Sequence, residues 1–368
     1  MNRNQISTGQ MISLMLMFEI GVAAVINLGF SAGRDAWMAS LIGMIFGAVL
    51  FWFYTSISRH FPTLPLTAIS RKLLGKYAGA AVGLMYVIYF MYIGSRNLRE
   101  GSNLINIVLL NNTPLVVITT LMVCCVAYVT YLGFEVLART AVLLMVFIFS
   151  VVLIINVLLF ASGSVHVDYI LPILADGIGP LWEAITTDTL IVPFGEMILF
   201  LMLLPYMRRP EKGGYIGVIS IIIGGLLITQ TMFLNVASLG LNIAKGSPFP
   251  VLSTISTIQI SDFIQRVDIL VVMTMIITNF YRVALYFTAV LIGASDIFNI
   301  PYRKLVIPVA FIFLIWSYSM ARNYIFQIEF GVLAFYYVHP LFLFFFPSLL
   351  LVAAWIHKRR QRRSTTIA

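Results

Sequence analysis

Leu190 to Glu196 reads LIVPFGE, inside an apolar segment, Leu181 to Met207, that is long enough to cross a bilayer. Pro193 removes a backbone donor and Gly195 adds backbone freedom two residues later. A break there exposes peptide groups at membrane depth, where each unpaired group costs several kcal/mol. Such backbone persists only against protein, water or a ligand. Glu196 adds a carboxyl, and ionisable groups at that depth face a cavity or a partner. An earlier segment, Gln10 to Phe30, repeats the combination with Glu19 beside Gly21. Interrupted helices at corresponding positions of two halves point to a transporter-type binding site.

The composition supports that frame. Of 368 residues, 61% are hydrophobic and only 10% charged, with mean hydropathy +0.99. Soluble domains carry roughly 25% charged residues. From Thr140 to Ala161 the chain holds no Lys, Arg, Asp or Glu. The expectation is an all-α polytopic membrane protein. Cys124 and Cys125, the only cysteines, are adjacent in an apolar run, which rules out a structural disulfide framework. The first helix lacks a short apolar core followed by a small-residue cleavage site and is read as retained.

Apolar runs give ten spans: Gln10 to Phe30, Met38 to Ser58, Ala81 to Leu109, Leu115 to Gly133, Arg139 to Ala161, Leu181 to Met207, Gly214 to Gly240, Asp268 to Ile292, Lys304 to Met320 and Val332 to Ile356. Pro248 to Phe263 is too polar to cross and reads as a short external element, entered through Ser247 and Pro248. With the N-terminus inside, 16 basic residues fall on the cytoplasmic side and 4 outside, with Arg96, Arg99 and Arg282 in the membrane. The positive-inside rule therefore predicts both termini in the cytoplasm. The net charge of +9 is a topology signal and an attraction to anionic membrane lipid, not a nucleic-acid footprint. Ten spans divide into five (residues 10–161), a connecting loop (162–178) and five more (179–356), followed by a basic tail (357–368). An odd number of helices per half sets the halves in opposite orientations, so span one corresponds to span six. The predicted fold is a LeuT-like 5+5 inverted repeat with broken helices 1 and 6.

Several stretches together resemble the B subunit of spore germinant receptors: ISTGQMISLMLMFEIG (6–21), AGRDAW (32–37), RNLREGSNLI (96–105) leading to NNTPL (111–115), and VPFGE (192–196). The resemblance spans essentially the whole chain in order and spacing. It implies the ten-helix core of the amino acid/polyamine/organocation transporter superfamily and a place in the spore inner membrane. It also implies a small-molecule germinant, expected to be an amino acid, and A and C subunits as partners.

The residues themselves suggest where chemistry could lie. In span one, Gly21 lets a backbone or a ligand approach closely, or else forms a small-residue packing face with Ala23. Glu19 is read as a proton carrier or the partner of a ligand ammonium, or as a neutral acid bonded across helices. In span six, Phe194 lines or gates the pocket while Gly195, the Pro193 break and Glu196 meet a ligand's polar end; the alternative is a simple proline kink. Asp188 is expected nearer the outer opening. In span three, Arg96 and Glu100 are four apart and either neutralise each other or line a water path with Tyr92. In span eight, Thr274 and Thr278 share a face and either meet the ligand or bond back to their own helix. Arg282, further along, is expected to close the cytoplasmic side through a carboxylate.

No HExxH, GxxxxGK[ST] or GxSxG motif is present, and His60, His166, His339 and His357 are scattered. An enzyme, a metal centre and a cofactor therefore have no support. Three readings remain: a ligand-sensing receptor subunit, a proton-coupled amino acid permease, and a structural membrane subunit that assembles partners.

Overall fold

The structure, a computed structural model, describes residues 5–23, 28–258, 267–320, 331 and 333–366. Its elements are α1 (Thr8–Ala23), α2 (Ala36–Ser58), α3 (Leu66–Leu74), α4 (Lys76–Val108), α5 (Leu115–Leu132), α6 (Phe134–Ala161), α7 (Ile178–Met202), α8 (Gly213–Leu239), α9 (Leu241–Gly246), α10 (Pro250–Ile255), α11 (Val267–Phe298), α12 (Tyr302–Ser319) and α13 (Phe346–Thr366). Among the described residues, nine helical stretches are long and apolar enough to span a membrane, and Thr8–Val22 is a shorter tenth. The expected fold class holds: this is an all-helical, multi-pass membrane protein.

Helix ends follow local chemistry. Ser7 and Gln10 form a capping box at the start of α1: the Ser7 amide donates to Gln10 Oε1 (2.7 Å) and the Gln10 amide to Ser7 Oγ (3.2 Å). Just before it, Ile6 pairs with the α7–α8 loop: its amide donates to the Tyr206 carbonyl and its carbonyl accepts from Arg208, each at 3.0 Å. Beyond Ala23 and the undescribed 24–27, the chain re-enters as a turn at Leu28 and Gly29, then a 3-10 stretch, Phe30–Asp35. Gly33 there has φ 62°, which suits glycine alone.

Sequence-derived boundaries shift by several residues at the end of α1 (Ala23, not Phe30), the starts of α4 (Lys76, not Ala81) and α6 (Phe134, not Arg139) and the end of α11 (Phe298, not Ile292), and the reading differs in three further places. The nine-residue helix α3 was not expected, because Leu66–Leu74 is amphipathic and too short to register as a span. It is tied to the end of α11, where Asp296 accepts from Thr67 (2.6 Å) and from Arg71. The external element begins at Pro250, which occupies the first helical position, rather than at Pro248; residues 259–263 of that stretch lie outside the described residues. Val332, the expected start of span ten, also lies outside them, and the stretch that follows is π-helical at Ala334–Val338 and Leu341–Phe345.

The outer surface is apolar, as suits a lipid-facing one. Leu143, Val146 and Leu153 of α6 stay largely exposed, as do Ile307 and Phe311 of α12, and both cysteines face outward. Inside, α4 and α11 pack along much of their length. Glycine makes this close approach possible: a Cβ at Gly94 would meet the Phe313 and Tyr286 side chains, and one at Gly101 would collide with the Asn279 amide.

Candidate functional site

The break in α7 lies at Val192, whose φ of −126° and ψ of 124° are extended within an otherwise helical stretch. Proline explains it: the residue before Pro193 is pushed out of the helical region by the Pro ring. The π-helical stretch Ala184–Phe194 contains the break, and beyond it Gly195–Met202 winds as a 3-10 helix, so the hydrogen-bond register changes along α7. Phe194 is fully buried on α2, where a Cβ on Gly47 would collide with it. Gly195 packs under Leu343, which would lie 2.8 Å from an added Cβ.

Below the break, Glu196 meets Arg282 of α11 in an ion pair 3% and 2% exposed. The Arg282 guanidinium lies 5.1 Å from the Phe18 ring centroid, and Phe18 also meets Phe200 and Tyr286 at 5.5 Å. α1, broken α7 and α11 thus converge on one charged, aromatic-walled centre. Sequence reasoning gave Arg282 a carboxylate; the structure identifies Glu196, 86 residues away.

Glu19 follows Phe18 and is fully buried on the opposite side, against α8. A Cβ on Gly224 would collide with its Oε2, and among the described residues neither carboxyl oxygen has a hydrogen-bond partner. Gly21 lies within helical α1 and presses on α11: an added Cβ would lie 3.0 Å from the Thr278 carbonyl oxygen. Ala23 closes α1. Thr274 Oγ1 donates to Leu270 (2.9 Å) and Thr278 Oγ1 to Thr274 (2.8 Å), so in this conformation both hydroxyls satisfy their own helix.

The α4 residues form a neighbouring polar strip. Arg96 Nε donates to Glu100 at 2.9 Å, one turn beyond Tyr92, and a Cβ on Gly331 would touch the Arg96 guanidinium at 2.5 Å. Arg99 lies 5.4 Å from the Tyr318 ring.

The sequence did not reveal a second polar layer. His339 is buried, with Nδ1 2.8 Å from Tyr89 Oη, and Tyr89 stacks on Phe342 at 4.3 Å. Tyr86 donates to the Phe342 carbonyl (2.9 Å) and Tyr54 to that of Leu343 (2.8 Å). π-Helical winding at Leu341–Phe345 alters the carbonyl pairing, and phenols from α2 and α4 take up the acceptors. The signal was Pro340 within the last span, beside His339.

Both ends of the centre are covered. At the end opposite the basic loops, Asp35 accepts from the Leu174 amide (3.0 Å), Arg34 donates to the Leu171 carbonyl, and Ser31 donates to Asp188 (2.6 Å). At the basic end lies the Ile6 pairing. A cavity of about 580 Å³ there is lined by Tyr131, Tyr206, Tyr302 and Arg303 among others, and neither the break nor the Glu196–Arg282 pair is part of its lining.

Comparison with known proteins places this architecture. Residues 5–325 match the family model described as Spore germination protein. The chain belongs to the spore germination protein family. It is 33% identical to Spore germination protein KB of Bacillus subtilis (strain 168) over 365 residues, 98% of each chain. It is 23% identical to Spore germination protein B2 of the same organism, over 94% of each. Among solved structures it resembles Mhp1, a nucleobase-cation-symport-1 family transporter captured closed with bromovinylhydantoin bound. The TM-score is 0.67 at 12% identity, over 90% of this chain and 76% of that one. At that identity the likeness concerns the fold, which is the LeuT-like transporter fold expected from the sequence.

Proposed function

We propose that this germination permease-like protein is the membrane subunit of a spore germinant receptor, lying in the spore inner membrane with both termini cytoplasmic. It binds a small zwitterionic germinant, an amino acid, where α1, broken α7 and α11 converge, and it works with A and C partner subunits. The observation that carries this reading is the helix break at Val192 directly above the buried Glu196–Arg282 pair. The extended backbone at the break, a carboxylate and a guanidinium provide complementary partners for an ammonium and a carboxylate. In the conformation seen, Thr278 and Gly21 close this seam, so ligand acts by favouring a conformation in which α1 and α11 separate. It can do so only through its differential affinity for the two states.

Thr278→Val keeps the side-chain shape and removes the hydroxyl. In spores carrying it, with the subunit level checked by immunoblot and a panel of amino acids and sugars titrated, the half-maximal germinant concentration should rise about tenfold, the equivalent of ~1.4 kcal/mol. An unchanged concentration dependence at normal protein level would move recognition elsewhere. A second reading, proton-coupled amino acid transport, is favoured by one observation, the unpartnered carboxyl of Glu19.

A further inference from the structure

Glu19 poses a chemical problem that the ligand centre does not solve. Its side chain is fully buried, and among the described residues neither oxygen has a hydrogen-bond partner. Among the described residues, the elements packed on α1 offer it no free opposite charge. On α8, no Asp, Glu, Lys, Arg or His occurs from Gly213 to Leu239; on α6 the charged residues, Glu135 and Arg139, pair with each other in its first two turns and none occurs from Thr140 to Ala161. On α11, Arg282 is committed to Glu196 and sits over the Phe18 ring; Tyr281 donates to Thr140, and Tyr286 lies against Phe18. On α7, Glu196 is paired and Asp188 accepts from Ser31. An ionised carboxylate with neither counter-charge nor donor is not sustained in such surroundings; the group takes up a proton instead.

Gly224 decides which ligand fits. With glycine there, the α8 backbone lies directly on the carboxyl, and any larger residue would collide with it. A metal ion or an ammonium group has no room against that face, whereas a proton needs none.

We propose that Glu19 is a proton-binding site, a neutral carboxylic acid in the closed conformation that exchanges its proton when the α1–α8 seam opens. On opening, water reaches the seam and the O–H bond of the acid ionises. The proton passes to that water and the carboxylate remains, solvated. Reclosing requires the reverse. Conformational change is thereby linked to one proton, in a receptor or a transporter alike. The inference deepens the proposed function, but the protonation itself can be read without any germinant.

The test is infrared spectroscopy of the purified chain in lipid nanodiscs at neutral pH. Wild type should show the C=O band of a protonated carboxylic acid that Glu19→Gln abolishes, that Glu19→Asp shifts rather than removes, and that Glu135→Gln, in the pair on the α6 surface, leaves in place. Wild-type and Glu19→Gln spectra identical in this region would overturn the assignment, as would a band lost equally in Glu135→Gln. The Glu19→Asp arm keeps the test decisive if the glutamine variant folds poorly. In spores, one-proton linkage changes the half-maximal germinant concentration by up to about tenfold per pH unit. That dependence should be flat in Glu19→Gln. A flat wild-type profile, or a wild-type slope in the variant, would refute the coupling even where the band is present.

Discussion

Replacing Glu196 with Gln strips the charge from one half of a pair that is 3% and 2% exposed. Arg282 then remains buried, with the Phe18 ring at 5.1 Å as its only remaining described electrostatic neighbour on α1. Breaking a buried pair by removing one partner costs about 3–5 kcal/mol, mostly the penalty of the stranded charge. Native stability is itself only about 5–15 kcal/mol, so this is a large share of it. Replacing both partners with apolar groups of similar volume, Glu196→Leu with Arg282→Met, removes the stranded charge and should return stability to within about 1–2 kcal/mol of wild type. Thermal and denaturant unfolding of the purified chain in nanodiscs, comparing wild type, Glu196→Gln, Glu196→Leu, Arg282→Met and the double variant, measures this. The single variants should be strongly destabilised and the double variant should be largely rescued. A Glu196→Gln protein as stable as wild type would show that the pair is solvated or that Arg282 finds another partner. A double variant as unstable as the sum of its singles would show that the two side chains act independently.

Gly21→Ala places a methyl 3.0 Å from the Thr278 carbonyl and should cost about 1–3 kcal/mol through overpacking, read by the same unfolding assay; a stability equal to wild type would mean the seam is looser than it looks. Asp35→Ala removes the acceptor for the Leu174 amide and should cost about 1 kcal/mol. Its loop, residues 162–177, should be cut faster by protease added from that side, and unaltered cleavage would mean that Arg34 and Ser31 hold the cover alone.

How much of this was legible depended on whether a feature is local. The break at Val192 was readable because Pro193 acts on its immediate neighbour, and the spans were readable because lipid imposes length and apolarity on each helix separately. The Arg96–Glu100 pair followed from helical spacing. The self-bonded threonines of α11 had been weighed as one of two outcomes, since a hydroxyl at that depth always has its own helix within reach. What stayed hidden was pairing across distance. Nothing near Glu19 in sequence announces that Gly224 will face it, and nothing near Tyr54, Tyr86 or Tyr89 announces that the π-turns around Pro340 will supply their partners. α3 was missed for a different reason: nine amphipathic residues between spans carry no membrane signal.

The pairing of Ile6 with the α7–α8 loop fastens together the ends of the two helices that matter most, since α1 starts two residues after Ile6 and α7 ends four residues before Tyr206. Neither can swing at that end without dragging the other or snapping two hydrogen bonds. Each such bond contributes about 0.5–1.5 kcal/mol net, so the fastening adds roughly 1–3 kcal/mol to the cost of opening. Inverting a two-state population from 1:99 to 99:1 takes about 5.5 kcal/mol. Under the proposed function, a stitch of this size is a sizeable fraction of what a ligand must supply: it adds to the cost of opening in the absence of ligand, yet lies within what a well-matched ligand overcomes.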